Sequence, residues 1–107
     1  MNDEIVLCGA SSYNQKYYFN PEFGLLPSRV QEELRVLCVL FTEEVGGILT
    51  LVFDEEGHLC LRTEAAENDP AFDEIGSALR VKQLRVEKKE LFESLELFYQ
   101  AFAGEEY

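Results

Sequence analysis

The chain has 107 residues, 47% of them apolar, which suits one domain with a core of its own. Against 21 acids stand 9 bases, and the net charge of −12 argues against nucleic acid as a partner, because phosphate binding is driven by cations. The same charge suits a basic partner or mimicry of a polyanion.

In chain order, residues 4–10 (EIVLCGA) read as a short strand ending about Gly9, followed by the loop SSYNQ, whose side chains bond their own backbone. KYYFN at 16–20 reads as a second strand, with Tyr17 and Phe19 on one face and Tyr18 on the other, stopped by Pro21. Truncating Tyr17 or Phe19 to Ala is expected to cost about 3–5 kcal/mol if fully buried. Tyr13 and Phe23 fall in the flanking loops, as candidates for a surface.

A helix is predicted from about Ser28 to Val45. Ser28 with Gln31 fits a capping box, and Gly46 or Gly47 fits a left-handed C-terminal cap. Val30, Leu34, Leu37, Cys38, Phe41 and Val45 form one stripe. Val36 and Leu40 extend it, which predicts a helix buried against more than one neighbour. A strand at 35–41 is the competing assignment.

The segment GGILTLVFDEEGHLCLRTEA reads as a hairpin. Asp54-Glu55-Glu56-Gly57 suits a type I turn followed by a left-handed Gly, so that Asp54 pairs with His58, Phe53 with Leu59 and Leu51 with Leu61. Leu49, Leu51, Phe53, Leu59 and Leu61 then share one face. Asp69 and Pro70 fit the start of a last helical region running to about Phe102. Its apolar face shifts between Phe72, Ile75 and Leu79 and the stripe Leu84, Leu91, Leu95, Phe98 and Phe102, which predicts a kink, or a helix covering two surfaces, near 80–83. The whole is a single α+β domain in the order ββαββα, a four-stranded antiparallel sheet with helices packed on it and a long, kinked C-terminal helix.

Chemistry-bearing constellations are sparse. Cys8, Cys38 and Cys60 are odd in number and widely spaced, which fits reduced thiols in the cytoplasm rather than a disulfide framework or zinc site. The start Met1-Asn2-Asp3-Glu4 lacks the cations of a signal peptide, and the longest apolar run, VLCVLF at 36–41, is far too short to span a bilayer. Cys8-Gly9-Ala10-Ser11-Ser12 fits nucleophile motifs only loosely, because Tyr13 stands where the second Gly is needed. His58 sits beside the hairpin turn with Asp54, Glu55 and Glu56, too short a pattern for a calcium loop. No catalytic residue, metal or cofactor is assigned.

Charge is less evenly spread. Arg80, Lys82, Arg85, Lys88 and Lys89 are five of the nine cations within ten residues. On a continuous helix Lys82, Arg85 and Lys89 share one face, as an acidic-partner site or a solvated surface. Glu43 and Glu44 oppose the dipole at a helix C-terminus, which predicts a compensating cation from the 80–89 cluster, within the chain or across a dimer. Gly76-Ser77-Ala78 predicts close approach of another backbone.

The stretches LCGASSYNQKYYFN, CVLFTEEVGGILTLVFDEEG and DEIGSALRVKQL resemble a family of small proteins from anaerobic, Clostridia-type bacteria, a domain of unknown function. The resemblance runs through most of the chain. It implies cytoplasmic placement and brings no catalytic residue, cofactor or partner with it.

These features point to a protein-interaction or regulatory module that self-associates or binds another protein, with no nucleic acid and no membrane involved. Tyr13, Lys16 and Tyr18 are the candidate recognition residues, and Glu43, Glu44, Lys82, Arg85 and Lys89 a candidate charged interface. The alternatives are a small-ligand binder or enzyme using Ser11, Ser12, Lys16 and the aromatics around them, and an acidic inhibitor or nucleic-acid mimic.

Overall fold

The structure is a computed structural model that describes residues 4–104; the start at Met1-Asn2-Asp3 lies outside them. Strands β1 (Ile5–Ser11) and β2 (Lys16–Phe19) form a first hairpin, followed by one turn of 3-10 helix at Pro21–Phe23. Helix α1 (Ser28–Val45) leads to the second hairpin, β3 (Ile48–Phe53) and β4 (Leu59–Glu64), and then to α2 (Glu74–Glu87) and α3 (Lys89–Gly104). The four strands pair antiparallel in the order β2-β1-β3-β4, so the α+β architecture is the one the sequence predicts. The second hairpin has the predicted register throughout, with Phe53 opposite Leu59 and Leu51 opposite Leu61. Asp54 Oδ1 accepts from the backbone N–H groups of Glu56 and His58, both at 2.9 Å, and Gly57 takes the left-handed conformation at φ 85°.

The core lies between one sheet face and the helices. Cys8, Ala10, Leu49, Leu51 and Phe53 of the sheet are buried with Leu34, Cys38 and Phe41 of α1, Leu84 of α2 and Phe92 and Leu95 of α3. A bulge between Val6 and Cys8 shifts the β1 register, and Leu7 and Cys8 are both fully buried while Val6 is exposed. Tyr17 and Phe19 pack against the core half-buried, and Tyr18 faces away.

Four local expectations are corrected. Ser28 is the first helical residue rather than the cap; Pro27 holds the cap position without a side-chain bond, and Gln31 Nε2 instead donates to Leu26 O at 2.8 Å. Val36 and Leu40 are 44% and 48% exposed, so α1 is covered along one stripe only. Phe23 is no surface residue: it is fully buried against Phe53, Phe98, Tyr99 and Phe102.

The fourth concerns the last helical region, which starts later and breaks later than predicted. Asp73 N donates to Val45 O at 3.1 Å, and the Phe72 ring fills the space beside Gly47, which holds residues 72–73 against the end of α1. The N-cap is therefore Asp73, whose Oδ1 accepts from Gly76 N at 2.8 Å, while Asp69 caps no helix and its Oδ1 accepts from Ala71 N in a turn. The break falls at Lys88 instead of 80–83. It lets α2 bury Leu84 and α3 lay Phe98, Tyr99 and Phe102 over Phe23 and Phe53, two directions one straight helix does not serve.

Candidate functional site: the helix-free sheet face

Side chains of successive strand residues point to opposite faces, so covering one face with helices leaves the other to solvent. β2 contributes Lys16 and Tyr18 to that face, β1 contributes Val6, Gly9 and Ser11, and β3 contributes Ile48, Thr50 and Val52. Gly9 is the low point. Tyr18 stands opposite it on β2 and Thr50 on β3, and a Cβ on Gly9 would lie 2.8 Å from Leu49 O. A glycine in a strand interior marks such close backbone approach.

The result is a shallow, mainly apolar depression of about 440 Å³ with Val6, Tyr18, Ile48 and Thr50 around Gly9. Tyr18 is 53% and Val6 37% exposed beside it. The β4 side of the face is charged, where Arg62 of β4 pairs with Glu4.

A second concavity of about 720 Å³ lies between the first hairpin and the C-terminal half of α1. Ser11, Ser12, Lys16 and Tyr17 line it from the hairpin, and Arg35 and Glu43 from the helix. The Tyr17 hydroxyl is enclosed with no hydrogen-bond partner among the described residues. Burial first, and then the neighbouring Cys8 thiol, push its pKa above the usual tyrosine value of 10.0.

The structure distributes the predicted site residues unevenly. Lys16 and Tyr18 line the depression. Tyr13 is elsewhere, its hydroxyl donating to Asp69 Oδ2 at 2.5 Å and accepting from Ala66 N at 2.7 Å. Of the charged set, Glu44 Oε2 lies 3.2 Å from Arg80 Nε, the nearby cation expected at this helix end. Arg85 Nη2 donates to Leu59 O at 3.3 Å, and Lys88 Nζ lies 3.0 Å from Glu33 Oε2. Glu43 and Lys82 are exposed, and Lys89 begins α3, so the helix break separates it from Lys82 and Arg85. The alternation of the second hairpin already set Ile48 and Thr50 on this half-apolar face; sequence reasoning passed over Val6 and Gly9, for which the glycine within a strand pattern was the available sign.

Chemistry at the remaining candidates is limited. His58 Nδ1 lies 3.6 Å from Asp54 and 3.5 Å from Glu56 on an open turn. Cys8 is buried with its Sγ 3.9 Å from that of Cys38. Among the described residues no group of three His, Cys, Asp or Glu side chains is placed to hold a metal, and no helix is long and apolar enough to cross a membrane.

No curated protein and no solved structure gives a significant match to the chain. The model of a family of unknown function, DUF6145, matches residues 4–107, the whole of the described chain, and the protein belongs to that family.

Proposed function

We propose that the protein is a small interaction module of the cytoplasm, which presents its helix-free sheet face to a protein partner and self-associates. The observation that carries this reading is the apolar depression around Gly9, flanked by an exposed aromatic, Tyr18, and a cation, Lys16. Contiguous apolar surface with a polar rim marks contact sites, and tyrosine is enriched in them. Three cysteines, odd in number and widely spaced along the sequence, support a reducing compartment.

Light scattering across a concentration series tests self-association: a mass of two chains at high micromolar concentration is expected, and a strict monomer removes that part. Affinity capture with wild-type and Tyr18→Glu baits tests the face. One stoichiometric protein held by the wild type and lost from the variant is expected; equal retention by both overturns the assignment.

A second reading is favoured by the cleft where Ser11, Ser12 and Lys16 meet Arg35 and Glu43, polar groups of both signs suited to a small polar ligand. A set of small carboxylates and phosphates would then raise Tm in the wild type and not in Lys16→Met. No rise from any of them removes this reading.

A further inference from the structure

β4 is an edge strand, and its outward backbone groups fall into two halves. Asp54 N bonds His58 O, so the even-numbered residues of β4 direct their N–H and C=O groups at β3 and the odd-numbered ones outward. The first half of the edge is closed. Leu59 N donates to Glu96 Oε2 at 2.7 Å, and Leu59 O accepts from Arg85 Nη2 at 3.3 Å. The second half is open: among the described residues no group meets the outward N–H and C=O of Leu61 and Thr63. The opposite edge, β2, is only four residues long, the usual way of blunting an edge.

Beside the open half runs a groove of about 490 Å³ between Thr63–Ala65 and α2, walled there by Glu74 and the small pair Ser77 and Ala78, with Phe72 at its end. Ile75 and Leu79, next to Ala78 on α2, are 77% and 55% exposed. The part of α2 beside the open edge is therefore Glu74 and Ala78, while Ile75 and Leu79 point away from the sheet.

We propose that the occupant is a second copy of the chain, joined through β4 in antiparallel pairing about a two-fold axis at Thr63. The proposal rests on the self-association advanced above and assigns it a surface. The residues of Leu61-Arg62-Thr63-Glu64-Ala65 are self-complementary in this register and in no neighbouring one. With Thr63 opposite Thr63 of the second copy, Arg62 stands opposite Glu64 twice, and Leu61 opposite Ala65. A shift by two residues one way sets Arg62 against Arg62, and the other way Glu64 against Glu64. Like charges directly opposite on a sheet destabilise it, whereas opposite charges stabilise it. A register centred on Leu61 is blocked by Glu96 and Arg85 at Leu59.

An axis of this kind is perpendicular to the sheet. It generates an eight-stranded sheet with both helix layers on one side, brings the two α2 helices toward each other on the side of Glu74 and Ala78, and merges the two helix-free faces into one surface.

Sedimentation analysis of charge-exchanged variants tests this. Arg62→Glu and Glu64→Arg alone place like charges opposite at both symmetric positions, and each is expected to weaken the dimer about tenfold or more. The double variant R62E/E64R restores the opposite pairing and is expected to return to the wild-type dissociation constant, although its link to Glu4 stays lost. Thr63→Cys in a Cys60→Ser background is expected to form an intermolecular disulfide under mild oxidation, since paired strand positions fall within disulfide range. A wild-type dimer indifferent to both charge exchanges, with no cross-link in the Thr63→Cys variant, overturns the β4 interface and leaves self-association standing. A wild-type monomer at high micromolar concentration overturns self-association and this interface with it.

Discussion

The Tyr13 hydroxyl donates a 2.5 Å hydrogen bond to Asp69 Oδ2, joining the β1–β2 turn to the β4–α2 connection across 56 residues of sequence. It is a structural tie, completed by Ala66 N, which donates to the same hydroxyl at 2.7 Å. The bond from Tyr13, and after it one from Ala71 N, hold the Asp69 carboxyl below the usual aspartate value of 3.8. A carboxylate whose folded pKa is lowered contributes stability above its unfolded pKa and loses it as pH falls through the folded one. Tyr13→Phe is therefore expected to lower Tm most at neutral pH. Its deficit shrinks below about pH 4, as Asp69 protonates, to the part owed to Ala66. Thermal melts of both proteins from about pH 7 to about pH 2.5 check this; a deficit constant over that range means Asp69 is not linked to the tie.

Phe23 occupies the place where the two ends of the chain's aromatic content meet. Its ring centre lies 5.3 Å from that of Phe102 and 5.7 Å from that of Phe53, and no part of it reaches solvent. Phe23→Ala is expected to destabilise by about 3–5 kcal/mol in chemical denaturation, the range for emptying an aromatic core site. Leu25, two residues on and 83% exposed, serves as the contrast. Leu25→Ala is expected to fall within about 0.5 kcal/mol of wild type. Tyr17→Ala and Phe19→Ala lie between these limits, because both rings are half-buried rather than fully buried.

Gly9 is a position where one added methyl has no room. The nearest atom to its Cβ is the backbone carbonyl oxygen of Leu49 at 2.8 Å, in a paired strand that does not shift freely. Gly9→Ala is expected to cost about 1–3 kcal/mol, the usual cost of overpacking. Equilibrium unfolding of Gly9→Ala against wild type measures it, and an unchanged midpoint would mean that β1 and β3 separate at little cost.

The three thiols are expected to divide into one accessible and two protected groups. Cys8 and Cys38 are fully buried, and the hydrogen bond to Cys8, followed by burial, pushes the Cys38 thiol far above the ordinary thiol range. Cys60 is partly exposed on β4, its pKa raised mainly by burial. Because the thiolate is the reactive form, a disulfide reagent should modify one thiol slowly in the native protein and all three in denaturant. Cys60→Ser should abolish the native reaction. Reaction of two or more thiols in the folded state would place Cys8 or Cys38 within reach of solvent.

The sequence by itself determined the elements whose rules are local. Asp54-Glu55-Glu56-Gly57 sets both turn type and register of the second hairpin, because hydrogen bonds to Asp54 and a left-handed Gly57 satisfy the loop within a few residues. The alternation Tyr17-Tyr18-Phe19 likewise sorts faces, and the stripe from Val30 to Val45 sets the extent of α1. Tertiary structure decided what depends on distant chain. It placed β3 beside β1, which makes Gly9 the floor of a depression by putting Leu49 against it. It buried Phe23, since no local pattern says that α3 will return over the loop that holds it. It moved the start of α2 to Asp73, because the end of α1 takes the Asp73 N–H. It tied Tyr13 to the β4–α2 connection, by bringing Asp69 to its hydroxyl. Helical periodicity measured how much apolar surface α1 and α2 carry; only the packing shows that Val36, Leu40, Ile75 and Leu79 stay uncovered, since burial requires a neighbour as well as a stripe.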